Sequence, residues 1–117
     1  MWLTTNEMKQ KRTYNVYVIE LSRDVLQHDK FIAANLYLRA GKPCVYVGST
    51  YLTPEDRFQQ HLYGHKSNRY VREYGVRLRP RLYQHLQGFE TRELAEEAEA
   101  KRAESLRKRG YAVWYGV

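Results

Sequence analysis

Residues 44–65 read CVYVGSTYLTPEDRFQQHLYGH. The first five are a run of β-branched, aromatic and small apolar residues that stops at Gly48, the pattern of a buried strand. Beyond Gly48 the sequence signals a helix at both ends. Thr53 stands at the N-cap, Pro54 in the first turn and Asp56 at the third position, and Gly64 closes it. Within it, Arg57 and His61 are four residues apart and share a face, while Phe58 and Leu62 repeat the spacing on a neighbouring face suited to the core.

Upstream, YNVYVIEL at residues 14–21 has a strand's length and composition, with Val16 and Val18 on one face and Tyr17, Ile19 and Leu21 on the other. Residues 22–43 form a mixed connection with room for a helical turn or two before Gly41 and Pro43. Downstream, Ser67 is a candidate cap for a short helix, NRYVREY, stopped by Gly75, and residues 81–86 read as a third strand after Pro80. A long helix spans about residues 91–109 and ends at Gly110, leaving YAVWYGV as a terminal strand or tail. These elements predict a small α/β (α+β) sandwich with a mainly antiparallel three-stranded sheet flanked by helices. Residues 1–12 are polar and aperiodic and read as a loose leader; residues 13–117 form a single domain.

The composition narrows the function. Twenty Lys and Arg against 13 Asp and Glu give a net charge of +7, which favours a polyanionic partner, nucleic acid first. A basic surface kept for solubility is the plainer alternative. One cysteine, Cys44, allows no internal disulfide and no cysteine-based zinc site, so a reducing compartment is expected, the cytoplasm by default. No window is apolar enough for a membrane span, and the first twelve residues lack the core of a signal peptide. Zinc-protease, Walker-type phosphate-loop and nucleophile-elbow patterns are all missing.

The remaining candidates are spread along the chain. Tyr17 and Tyr46 centre two short motifs, Asn15-Val16-Tyr17 and Tyr46-Val47-Gly48, and share one side of the sheet if their strands pair. On the last helix Ala95, Glu99, Ala103 and Leu106 step by four, four and three, which puts Glu99 on the small apolar stripe while Glu93, Glu96, Glu97 and Glu104 point elsewhere. A carboxylate on a buried face is costly unless a cation meets it. Arg102 lies near the same stripe, so an ion pair is one answer and a divalent metal another. Taken singly, each feature has an ordinary reading: core tyrosines, an exposed helix pair, a solvated glutamate.

Taken together, their order resembles the GIY-YIG nuclease superfamily: a Tyr-bearing strand, a Tyr-Val-Gly-Ser strand, an Arg-x-x-x-His helix and a late Glu-bearing helix, over residues 14 to about 115. The second motif matches the family's Tyr-Ile-Gly, whereas Asn15 stands where the first motif usually has glycine, and the connection between the tyrosines is longer than usual. No clear equivalent of the asparagine that many members carry near the end is found. The resemblance implies phosphodiester hydrolysis in DNA by a metal-dependent endonuclease, structure-selective for want of an attached recognition module. It implies that Tyr17 or Tyr46 orients or deprotonates the attacking water, Arg57 holds the scissile phosphate, and His61 assists proton transfer or holds the tyrosine. Glu99 would bind one Mg²⁺, with Mn²⁺ able to substitute, and Gly48 would let the backbone turn sharply at the strand end. The alternative is a catalytically inactive nucleic-acid-binding domain that keeps the nuclease fold.

Residues 66–81 add a basic stretch in which Lys66, Arg69, Arg72 and Arg77 are the expected nucleic-acid contacts, with Tyr70 and Tyr74 either stacking on unpaired bases or turned inward. Cations at the end of the last helix are accounted for by its dipole. No exposed heptad or interface patch in the sequence sets an oligomeric state.

Overall fold

A computed structural model describes residues 12–116, so the expected leader at residues 1–12 lies outside the described residues except for Arg12. The order is β1 (Asn15–Leu21), a 3₁₀ turn (Arg23–Gln27), α1 (Asp29–Ala33), β2 (Cys44–Thr50), α2 (Pro54–Leu62), α3 (Arg69–Tyr74), β3 (Gly75–Leu78), a second 3₁₀ turn (Pro80–Leu82), α4 (Arg92–Lys108) and β4 (Ala112–Tyr115). The sheet has four strands in the order β3-β1-β2-β4. β1 runs antiparallel to β2 and β3, and β4 runs parallel to β2. The expected three-stranded sheet is therefore corrected to a mixed four-stranded one.

Val16, Tyr17, Val18 and Ile19 are consecutive and all buried, so both faces of the central strand are covered. The β1–β2 register pairs Tyr17 with Gly48 and Ile19 with Tyr46. Tyr17 and Tyr46 are thus diagonal neighbours on one face, with ring centroids 6.1 Å apart.

The third strand is not where the sequence suggests. Residues 81–86 curl instead of extending, with Tyr83 N–H donating to the Pro80 carbonyl and Leu86 N–H to the Tyr83 carbonyl. Pro80 starts that 3₁₀ turn without needing an N–H partner, and the ladder position beside β1 is taken by Gly75–Leu78, directly after α3. The end of the curl still borders β1, because Val16 N–H donates to the Leu86 carbonyl.

The Thr53 cap and the stops at Gly64 and Gly110 follow the sequence, and one cap is corrected. The Thr53 hydroxyl accepts from Asp56 N–H and the Thr91 hydroxyl from Leu94 N–H, while Gly64 and Gly110 take the left-handed conformation that ends their helices. At α3 the cap is Asn68, not Ser67: its Oδ1 accepts from both Tyr70 and Val71 N–H. The buried face of α2 also departs from expectation. His61 is buried and Leu62 is 40% exposed, because the Arg57–His61 face, not the Leu62 side, turns toward the tyrosines.

A buried Asn35 ties α1 to β4. Its Oδ1 accepts from Val113 N–H at 2.7 Å and from Arg107 Nε at 3.3 Å, and its Nδ2 donates to the Phe31 carbonyl at 2.6 Å. Among the described residues no helix is long and apolar enough to cross a membrane.

Candidate active site

The two strands, α2 and α4 converge on a cleft of about 600 Å³ lined by Tyr17, Tyr46, Arg57, His61 and Glu99. All five residues singled out for chemistry in the sequence are thus neighbours in space. Ser49, Asn68, Trp114 and Gly116 are among its other walls, and so is Glu96, which corrects the expectation that this glutamate points elsewhere.

His61 lies 1% exposed with Nε2 2.8 Å from the Tyr17 hydroxyl. Its Nδ1 accepts the backbone N–H of Asn68 at 3.2 Å. A backbone N–H can only donate, so Nδ1 is unprotonated and the proton of the neutral ring belongs to Nε2. His61 therefore donates to Tyr17, leaving the phenol's own proton free for another partner. Burial, with Arg57 adding to it, depresses the His61 pKa to about 4. The ring therefore stays uncharged at neutral pH.

Burial pushes the Tyr17 pKa up to about 12, against the opposing charge and hydrogen bond of Arg57. Tyr46 is also raised, chiefly by burial, and its hydroxyl donates to the Gly116 carbonyl. The Arg57 guanidinium is half-buried and held in place by Gln60 Oε1 at 3.0 Å and the carbonyls of His65 at 3.1 Å and Lys66 at 2.8 Å. Lys66 adopts φ 45°, the left-handed region that non-glycine residues rarely enter.

Gly48 plays a part different from the expected turn. It sits within β2, and a Cβ there would fall 2.5 Å from Tyr17 Cζ and 2.9 Å from Tyr46 Cε2. The missing side chain is the space in which the Tyr17 ring lies. Asn15, at the first motif's usual glycine, is equally engaged: Nδ2 donates to the Leu52 carbonyl at 3.0 Å and Oδ1 accepts from Gly88 N–H at 2.9 Å.

Glu99 lies on the buried stripe of α4 with Ala95, Ala103 and Leu106, as its spacing predicts. Burial raises its pKa to about 7; the Ser49 side chain and the Gly116 backbone oppose the rise and Glu96 adds to it. The Arg102 side chain meets His85 at 2.7 Å, and no ion pair to Glu99 is formed among the described residues. Those residues contain no cluster of three or more His, Cys, Asp or Glu suited to a metal. One buried carboxylate without a cationic partner, opening on a polar cleft, fits a hard cation that keeps most of its waters.

Of the basic residues, Lys66 and Arg69 line this cleft, whereas Arg72 and Arg77 do not. Arg77 is 3.5 Å from Glu20 across the β1–β3 ladder. Tyr70 is buried against Phe31 and Trp114, and the Tyr74 hydroxyl meets Gln27 and His28, so both rings turn inward. Asn68 escapes a reading of the sequence because its contribution to His61 is a backbone N–H, which every residue but proline carries. Ser49 does carry a signal: it is the last residue of the Tyr-Val-Gly-Ser run of β2.

Residues 13–112 match the family model described as the GIY-YIG catalytic domain. No curated protein and no solved structure matches.

Proposed function

Because the chain belongs to the GIY-YIG family, a nuclease family, we propose that it is a metal-dependent endonuclease that hydrolyses phosphodiester bonds in DNA. The observation that carries this reading is the meeting of Tyr17, Arg57, His61 and Glu99 around one cleft. Arg57, pinned by two carbonyls, presents its planar fork to the scissile phosphate and offsets charge developing there. Tyr17 orients the attacking water and takes its proton, and His61 Nε2–H stabilises the phenolate that this role requires. Tyr46, committed to Gly116, positions the neighbouring ring.

Glu99, with Ser49 and Gly116 fixing its carboxylate, would hold Mg²⁺ or Mn²⁺. When bound, the ion supplies positive charge that stabilises the leaving oxygen and draws down the pKa of nearby hydroxyls. Lys66 and Arg69 hold the backbone on either side, and Arg72 and Arg77 act farther out. Structure-selective cutting fits contacts made to the strand's backbone, which carry no sequence information of their own. A lone buried Cys44 fits a reducing compartment such as the cytoplasm.

A catalytically silent DNA-binding domain is the second reading, favoured by a Tyr17 phenol that burial holds near 12. One experiment separates the two: cleavage of labelled single-stranded, duplex and branched DNA with Mg²⁺, with Mn²⁺ and with chelator, running Glu99→Gln beside wild type. Metal-dependent cutting lost in the variant supports the nuclease. Salt-sensitive binding without cutting by either protein makes the chain a silent binder.

A further inference from the structure

A second cleft of about 290 Å³ adjoins the first, sharing Ser49, Arg57, Lys66 and Glu96 with it as a common wall. Its own lining includes Tyr14, Tyr51, His65 and Arg92. Tyr51 is 49% exposed and Tyr14 half-buried, whereas the tyrosines of the first cleft, Tyr17, Tyr46 and Tyr70, are buried. Both tyrosines of the second cleft carry an arginine over the ring: Arg12 lies 4.2 Å from the Tyr51 centroid and Arg92 5.7 Å from that of Tyr14. Cations thus stand beside aromatic faces one step from Arg57.

We propose that this second cleft receives an unpaired nucleotide next to the scissile phosphate, its base stacked on Tyr51 and its phosphate held by Arg92 and Lys66. The proposal rests on the nuclease reading and adds the kind of strand the site accepts. A duplex held by its backbone alone would need only the cations, since its bases are stacked on one another and out of reach of Tyr51. A half-exposed ring with one guanidinium, Arg12, against it and a second, Arg92, in the same cleft is instead the arrangement that takes a base out of the stack, with little regard to which base it is. Glu96 on the shared wall is the one acid in the cleft, and it keeps the strand's approach on the Arg92 and Lys66 side by repelling phosphate.

The test is binding in chelator, where no cutting occurs, read by fluorescence anisotropy on a labelled oligothymidylate and on a duplex of equal length. Wild type, Tyr51→Ala, Tyr51→Phe and Arg92→Ala are compared. Tyr51→Ala should weaken binding of the single strand about tenfold and of the duplex less than about twofold, with Tyr51→Phe close to wild type. Arg92→Ala should weaken single-strand binding and flatten its salt dependence. Oligothymidylate carrying 5-iodouracil should crosslink to Tyr51. Equal losses on both probes, or none, would overturn the proposal while wild-type cleavage kept the nuclease reading intact. Binding of neither probe by wild type would overturn the proposal, and absence of wild-type cleavage with Mg²⁺ as well would remove the nuclease reading with it.

Discussion

The backbone N–H of Asn68 and the Nδ1 of His61 are 3.2 Å apart, and this single contact determines which way the proton between His61 and Tyr17 can run. The histidine is a donor toward the phenol. It cannot also take the phenol's proton without breaking its bond to Asn68.

The ring nitrogens of His61 should therefore show the Nε2–H form by ¹⁵N NMR at neutral pH, and they should keep it well into the acid range. Observation of the Nδ1–H form would sink the assignment. His61→Ala should lower cleavage about 10²-fold or more, with DNA affinity little changed.

Stability should respond to pH through two groups of opposite sign. His61 titrates at about 4 when folded against an ordinary 6.5, so in that window the unfolded chain binds a proton that the folded one refuses. Its contribution is complete above 6.5 and is lost as the pH falls toward 4. Glu99 titrates at about 7 when folded against 4.5, so the folded chain holds the extra proton, and acidification through that window stabilises it. In chelator, relative to wild type, Glu99→Gln should lose thermal stability on acidification from about pH 7 to about pH 5, and His61→Gln should gain it. Parallel slopes for the three proteins would refute this pairing.

Gly48→Ala should destabilise the domain by about 1–3 kcal/mol through overpacking and should depress cleavage further, since the Tyr17 ring is what must move. Urea unfolding beside a cleavage assay checks both. A fully active Gly48→Ala would mean that the tyrosine's placement is not critical.

Asn35→Ala should cost about 1–3 kcal/mol by leaving the Val113 N–H and the Phe31 carbonyl without their buried partner. Asn35 does not line the cleft, so folded protein should retain cleavage at temperatures well below its lowered melting point.

The legible parts of this chain are those specified by local spacing. The Thr53 cap, the Arg57–His61 repeat and the stripe bearing Glu99 depend on neighbours within one or two turns, and all lie as their spacing predicts. The illegible parts depend on partners far along the chain. Residues 81–86 have a strand's composition, yet Gly75–Leu78 takes the edge of β1 because it leaves α3 directly beside it. The parallel pairing of β4 leaves no local trace, and neither does the Asn35 latch. Gly48 stands out as a motif residue, but its role is set by the ring of Tyr17 on the adjacent strand, not by its own backbone. Leu62 and His61 exchange their expected places because a histidine with both nitrogens satisfied can be buried more readily than its polarity suggests.

Strand β4 has one further consequence, in the order of events during synthesis. β1 and β2 are made early and can pair as they emerge. Tyr46 finds the Gly116 carbonyl, and Glu99 the Gly116 backbone, only after β4 has been translated and has docked beside β2. A nascent chain thus carries all twenty of its Lys and Arg before it can assemble the cleft. Translation interrupted ahead of β4 would yield a fragment able to attract nucleic acid but lacking the finished geometry to cut it, so the cell meets the assembled cleft only in a chain whose sheet has closed.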